Sequence, residues 1–172
     1  MGQHQGNGKP DTIKQVLADP QVRAELEKVA DGLEKRGWHV LEDGPDPETN
    51  TPVRAFTLGL YPNFLHPEIV MVGLSHEFTS HLLTTACEKV QAGEVFQAGS
   101  EYDGFLEGFK VAFRQVHPSH YARFLPFLKR YYRTSDFPAV QMVLPDRHGL
   151  YPWDVGVQPE FSEIQRVLDE PR

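Results

Sequence analysis

The chain contains the run Gln141-Met142-Val143-Leu144-Pro145-Asp146-Arg147-His148-Gly149-Leu150-Tyr151-Pro152-Trp153. It begins with the apolar character of a strand, breaks at the Pro-Asp pair, turns at Gly149, and returns as an aromatic stretch that ends in Pro-Trp. This pattern predicts a strand over 139–144 that pairs with 150–153, either as a hairpin or as a looser return.

Two amphipathic helices are predicted on the amino-terminal side of this run. The first spans 20–36, between Asp19 as its amino-terminal cap and Gly37 as its carboxyl-terminal cap. The second spans 75–91, with Ser75 as the capping side chain. Apolar residues recur at three- and four-residue spacing in both, which is typical of helices that pack one face against a core.

Short strands are predicted over 38–41, 53–60, 69–72, 95–97 and 108–116. In the last of these, Phe109, Val111 and Phe113 alternate with other residues, as in a half-buried strand. A helix from Ser119 is expected to kink or split at Pro126, because proline lacks the backbone N–H that a helix needs. This order predicts an α+β fold, a mostly antiparallel mixed sheet flanked by helices.

Length and composition restrict the class of protein. The 172 residues fit a flexible tail over residues 1–10 and a single α+β domain over residues 11–172. No apolar run approaches the roughly 20 residues that cross a bilayer, so a membrane protein is not expected. The single cysteine, Cys87, fits core packing in a cytoplasmic protein. The net charge of −7 argues against nucleic-acid binding.

The charge is unevenly distributed along the chain. Residues 110–134 carry six basic residues and no acidic one, a formal charge of +6, which leaves −13 on the remainder of a chain at −7. This segment contains four candidate ligand-binding residues, Arg114, His117, His120 and Arg123. Paired guanidinium groups match a carboxylate or phosphate, so the segment predicts an anion-attracting face; a merely solvated basic surface is the alternative.

Two apparent catalytic motifs fail on inspection. His76 and His81 are five residues apart, which places them roughly 140° apart around a helix, so they cannot share one zinc ion in the manner of His-Glu-x-x-His. Ser75 follows Gly-Leu as in a nucleophile elbow, but the glycine that should come two residues after the serine is replaced by Glu77. We predict no catalytic residue, no metal and no cofactor.

Polar and aromatic residues at strand ends supply the remaining ligand-binding candidates. They are His66, Glu68, Asp146, His148 and Trp153. Loops at strand ends are where binding residues concentrate. For Asp146 a structural role is also open, an Asx-type hydrogen bond to its own loop.

Several short motifs together resemble the bacterial family called domain of unknown function 4262. They are Thr57-Leu58-Gly59-Leu60, His66-Pro67-Glu68, Gly73-Leu74, the helix ending at Gly93, Pro145-Asp146 with Gly149, and Pro152-Trp153. The resemblance covers a core of about residues 37–153, and Leu144 departs from it, since the family commonly has tryptophan there. It implies a small, soluble, bacterial cytoplasmic protein and no particular activity.

Two functions follow as expectations. The first is a non-catalytic binding or regulatory module that uses the anion-attracting face to bind a protein partner or an anionic small molecule. The second is a small enzyme that acts on an anionic substrate through an Arg/His pocket. The second requires the candidate arginines and histidines to converge on one cleft. Oligomeric state is left open.

Overall fold

The computed structural model describes residues 18–171, so the predicted tail over 1–10 lies outside the described residues. The helices are α1 Pro20–Arg36, α2 Leu60–Phe64, α3 His76–Gln91, α4 Tyr121–Phe124, α5 Pro126–Tyr132 and α6 Pro159–Ile164, and a 3₁₀ turn over Pro118–His120 precedes α4. The strands are β1 His39–Asp43, β2 Arg54–Leu58, β3 Glu68–Val72, β4 Glu101–Leu106, β5 Phe109–Gln115 and β6 Ala139–Val143.

The six strands form one mixed sheet in the order β1-β2-β3-β6-β5-β4. The central strands β3 and β6 are parallel, with Glu68 opposite Ala139 and Val70 opposite Gln141, whereas the other four described pairings are antiparallel. The predicted mostly antiparallel α+β sheet is therefore confirmed. Because β3 and β6 run in the same direction, the residues that follow both strands meet at one edge of the sheet.

Helix α1 has the two caps that its sequence predicts. The Asp19 carboxylate accepts a hydrogen bond of 2.8 Å from the Gln21 N–H, which satisfies one free donor of the first turn. At the other end, Gly37 has φ +80° and donates its N–H to the Leu33 carbonyl at 3.0 Å. This left-handed conformation favours glycine, so the helix ends where the sequence predicts.

Helices cover both faces of the sheet. Alternate residues of β3 point to opposite faces: Ile69 and Met71 pack with α3, whereas Val70 and Val72 pack with α1, α4 and α5. Leu82 of α3 is 1% exposed, and burying a leucine side chain contributes roughly 1.5–3 kcal/mol. Cys87 is fully buried on the same helix face, which confirms its predicted core position, and this burial raises the pKa of its thiol.

One strand prediction is wrong. Residues 95–97 form no strand; Phe96 is instead a core side chain whose ring stacks on Phe113 with centroids 4.9 Å apart. The fourth strand lies later, over 101–106, where exposed polar residues interrupt the apolar pattern. Residues 150–153 also form no strand, so the looser return, and not the hairpin, is the observed arrangement.

The other differences concern single residues. Phe109 is 38% exposed, although alternation predicts it inward, because β5 extends past the core at its start. Ser75 occupies the cap position of α3 but makes no side-chain capping bond. His117, and not Ser119, caps the turn before α4, and the predicted split at Pro126 is confirmed. Residues 60–64 form the short helix α2, although Leu60 lies in the strand predicted over 53–60.

Within residues 18–171, no helix is both long enough and apolar enough to span a membrane.

Candidate functional site

A cleft of about 520 Å³ opens where the chain leaves the parallel strands β3 and β6. We call it the β3–β6 cleft; it is lined by Leu74, Phe78, Leu106, Leu144, Pro145, Asp146, Arg147, His148, Gln158 and Phe161. The lining is predominantly apolar, and its polar residues come from the loop after β6 and from the start of α6. A volume of 300–1,000 Å³ with this division of lining is typical of small-molecule sites.

Gly73 lets α6 pack close enough to the end of β3 to form one wall of the cleft. It follows β3 with φ +82°, and a Cβ atom there would lie 1.6 Å from the carbonyl oxygen of Ile164. Only glycine combines this backbone conformation with so close an approach of another chain segment. The sequence Gly73-Leu74 therefore brings α6 directly over the end of β3.

Two buried glutamines attach the C-terminal segment to β6. The Gln165 carboxamide accepts from the Leu144 N–H and donates to the Leu144 carbonyl, both at 2.8 Å. Gln141 of β6 accepts from the Leu168 N–H at 2.9 Å and donates to the Arg166 carbonyl at 2.8 Å. Each side-chain amide hydrogen-bonds to backbone groups of another segment. Together these bonds hold α6 in one position beside the cleft.

The loop over residues 146–150 is closed by its own hydrogen bonds. Asp146 Oδ1 accepts from the N–H groups of His148 at 2.8 Å and Leu150 at 2.9 Å, which confirms the Asx-type bond predicted for this residue. The Asp146 N–H donates to the Leu150 carbonyl at 2.7 Å, and Gly149 supplies φ +83°. The Leu150 N–H is the largest cause of a lowered Asp146 pKa.

Arg147 and His148 lie exposed at the tip of this loop and line the cleft. Arg147 Nε donates to His148 Nε2 at 3.1 Å, so that imidazole nitrogen acts as the acceptor. Asp146 and His148, both predicted as candidates, therefore come together in one cleft.

Glu68 lies in a different place, fully buried at the start of β3. We call the carboxylate and its donors the Glu68 cluster, which consists of Glu68, Thr57, Gly59, Tyr61 and Tyr132. Oε2 accepts from the Thr57 hydroxyl at 2.5 Å, and Oε1 accepts from the N–H groups of Gly59 at 3.0 Å and Tyr61 at 3.1 Å and from the Tyr132 hydroxyl. The cluster joins β2, α2, β3 and α5.

Burial controls the acidity of this cluster. It raises the pKa of Glu68 above the usual range, although each of the four donors lowers it again. Burial and the adjacent Glu68 also raise the pKa of the Tyr132 hydroxyl. With both carboxylate oxygens hydrogen-bonded inside the fold, Glu68 has the arrangement of a structural group.

His66 is also enclosed. Its Nε2 accepts from the Phe96 N–H at 3.0 Å, so Nδ1 carries the proton and donates to the Pro67 carbonyl at 2.7 Å. Burial lowers its pKa, because a charged imidazole would lose its hydration there. Both ring nitrogens have partners within the described part of the chain.

Arg114 and Trp153 come together in a second cleft, separate from the β3–β6 cleft. The guanidinium carbon lies 3.8 Å from the Trp153 ring centroid, and Trp153 stacks on Tyr151 with centroids 4.9 Å apart. Arg114 Nη1 also lies 3.5 Å from Asp169 Oδ2. Arg114 therefore already has an aromatic and an acidic partner, and Trp153 is at the protein rim.

The other basic candidates have contacts in separate places. His117 Nδ1 lies 2.9 Å from the Ser119 hydroxyl, and His120 Nε2 donates to the Glu170 carbonyl at 2.8 Å. Arg123 Nε donates to the Thr51 hydroxyl at 2.8 Å. The His120 and Arg123 bonds join distant segments of the chain, whereas the His117 contact stays within its own turn.

The predicted Arg/His pocket is therefore divided. Arg114 lines one cleft, Arg123 lines a second, and Asp146 with His148 line the β3–β6 cleft. Lys110 also has an acidic partner, since its Nζ lies 3.9 Å from Asp103 Oδ2. The contiguous stretch 110–134 thus does not present its basic residues at a single site.

Histidine and carboxylate side chains do not form a metal site in residues 18–171. No group of three or more potential ligands from His, Cys, Asp and Glu is close enough to hold an ion there. His76 Nδ1 lies 2.8 Å from Glu42 Oε2, and His81 is exposed.

Sequence reasoning missed the apolar lining of the cleft. Phe78, Leu106 and Phe161 are far apart in the sequence, so no local pattern connects them. Phe78 lies on α3, whose apolar spacing predicts a buried face, yet it is 40% exposed. One signal was present: Gln141, a polar residue in an apolar strand, indicates a partner segment on that face.

A family model described as Domain of unknown function (DUF4262) matches residues 32–158. This range includes all six strands and the whole 146–150 loop. No curated protein and no solved structure matches the chain.

Proposed function

This chain belongs to the family of domain of unknown function 4262, and we propose that it is a non-catalytic binding module whose ligand occupies the β3–β6 cleft. The observation that carries the proposal is an apolar cavity of about 520 Å³ at the carboxyl ends of two parallel strands. Ligands of open sheets with parallel strands are commonly bound in this place, because the loops that follow the strands diverge there.

The distribution of side chains in the cleft fits binding. Phe78 leaves 40% of its surface exposed although it lies on α3 beside a packed core, and covering this surface would be favourable. The polar groups, by contrast, come from one loop and from Gln158. An apolar body with a polar end would match both parts of the lining.

The same reasoning favours binding over the enzyme alternative. That alternative depends on a composite of Arg114, Arg123 and the histidines, but Arg114 and Arg123 line separate clefts. We also propose a bacterial cytoplasmic location, for which the support is the family resemblance and the single buried thiol of Cys87.

Fragment screening by protein-observed NMR tests the proposal. We expect apolar fragments with one polar end to shift the amide resonances of residues 74–78, 106, 144–148 and 158–161 together. Phe78→Asp should abolish these shifts. The matched control is Leu26→Asp, because Leu26 is also an apolar helix residue, 41% exposed against 40% for Phe78, and does not line the cleft.

The proposal fails if fragments leave these resonances unchanged, or if Phe78→Asp and Leu26→Asp respond alike. Because each side chain is about three-fifths buried, the two variants should lose similar stability, and circular dichroism should show that both remain folded.

A further inference from the structure

We infer that the ligand of the β3–β6 cleft is an amphiphile with an apolar body and one anionic head group, and that the head group binds the Arg147 guanidinium. This inference rests on the binding role proposed above and adds the chemical class of the ligand.

The apolar side chains that line the cleft indicate that the ligand has an apolar body. Leu74 and Leu144 follow the two parallel strands, and Phe78, Leu106 and Phe161 approach from three other elements. These five side chains offer no hydrogen bond, so a polar ligand body would lose its hydration without compensation. An alkyl or aryl body would instead gain from burial.

The N–H donors of the Arg147 guanidinium indicate that the head group is an anion. A guanidinium has five N–H donors, and in residues 18–171 that of Arg147 uses one, Nε, toward His148. The four N–H groups on the terminal nitrogens have no acceptor in that part of the chain, and no carboxylate lies within 4.0 Å of Arg147 there. This planar pair of terminal nitrogens matches the two oxygens of a carboxylate or phosphate.

Asp146 makes no ion pair with this guanidinium within 4.0 Å, although Arg147 contributes, after the Leu150 N–H, to the lowered Asp146 pKa. It is the one acidic residue of the lining, but its Oδ1 accepts from two N–H groups of its own loop. The carboxylate therefore orders the loop on which Arg147 stands, and an ordered donor loses less entropy when it binds. The geometry thus favours an anion over a cation as the head group.

The test compares four ten-carbon probes below their micelle concentrations: decanoate, decyl phosphate, 1-decanol and decyltrimethylammonium. Isothermal titration calorimetry should give decanoate and decyl phosphate an affinity about tenfold above that of 1-decanol, which corresponds to about 1.4 kcal/mol. Comparing decanoate with decyl phosphate distinguishes a carboxylate from a phosphate head group.

Two variants identify the group responsible. Arg147→Gln should lower the affinity for both anionic probes to that of 1-decanol and leave 1-decanol binding unchanged. The matched control is Arg130→Gln, an exposed arginine on α5 outside the cleft, which should keep the preference.

The outcomes separate this inference from the proposed function. Equal affinity for all four probes, lost in Phe78→Asp, would overturn the anionic head group but retain the cleft as a binding site. A preference for decyltrimethylammonium, or an anion preference that survives Arg147→Gln, would also overturn the inference. If no probe binds and fragments also leave the cleft resonances unchanged, both proposals fail.

Discussion

Glu68 and Arg147 are charged residues at opposite ends of the same parallel strand pair, and their surroundings differ. Glu68 begins β3 and has both carboxylate oxygens hydrogen-bonded within the fold. Arg147 follows β6 and has four N–H groups without an acceptor in residues 18–171, next to an apolar cavity. The comparison teaches that Glu68 is satisfied by the fold itself, whereas Arg147 keeps N–H donors that no other residue of this range accepts and that remain for water or a ligand.

The strongest test of this contrast removes the buried carboxylate. Glu68→Leu leaves up to four donors facing an apolar side chain, and we expect a loss of about 3–5 kcal/mol in the free energy of unfolding, because each buried unsatisfied donor costs ~1–3 kcal/mol. Urea denaturation measures it. Glu34→Leu, at an exposed position of α1, is the control and should leave the midpoint unchanged. A Glu68→Leu midpoint equal to the wild type would contradict the structural role.

The second test acts on the wall of the cleft. Gly73→Ala places a methyl group 1.6 Å from the Ile164 carbonyl oxygen, so α6 must move. We expect a loss of about 2–4 kcal/mol, the sum of left-handed strain and overpacking, and weaker ligand binding.

Gly93→Ala is the matched control for Gly73→Ala. Gly93 also has a positive φ, +101°, but a Cβ there would meet nothing within 4 Å. Gly93→Ala should therefore show only the strain of about 1–2 kcal/mol and should leave binding intact. Equal losses in the two variants would show that contact with α6 is unimportant.

A third test uses the pH dependence of stability. Glu68 and Asp146 should change the free energy of unfolding in opposite directions as pH rises. The Glu68 pKa is raised by burial, so its contribution is fully present below the unfolded pKa and is lost as pH rises through the folded value. Each unit of elevation corresponds to about 1.4 kcal/mol. The Asp146 pKa is lowered, so its contribution is present above the unfolded pKa and is lost as pH falls through the folded value.

Urea unfolding across the acidic and neutral range measures both signs. Glu68→Gln cannot titrate and should flatten the decline of stability toward neutral pH, whereas Asp146→Asn should flatten the decline toward acid. If Glu68→Gln leaves the slope as in the wild type, Glu68 does not titrate as burial requires.

The smallest effect is expected at the loop itself. Asp146→Ala removes the acceptor for the N–H groups of His148 and Leu150 but leaves an exposed loop that water can solvate. At neutral pH the free energy of unfolding should fall only slightly, in keeping with the small acid-dependent contribution of Asp146, and the preference for decanoate over 1-decanol should fall by less than in Arg147→Gln. Calorimetry of the two variants side by side measures this, and an undiminished preference in Asp146→Ala would show that loop order does not contribute.

Local elements were predictable from the sequence because their determinants are local. The caps of α1, the split at Pro126 and the Asx-type bond of Asp146 each depend on residues within a few positions of each other. The resemblance to the family was likewise readable, since it is carried by short motifs. The strand over 101–106 was missed because its residues are half-exposed and carry little periodicity.

The site required the tertiary structure. In the sequence, Phe78, Leu106 and Phe161 look like core residues. Only the tertiary packing places them around the β3–β6 cleft. The positive charge of 110–134 suggested a shared face, but a count of charges contains no distances, and the fold gave Arg114 the partner Asp169. Local hydrogen bonds and backbone preferences thus determined the elements. Burial and long-range pairing decided which side chains are saturated inside the protein and which are available to a ligand.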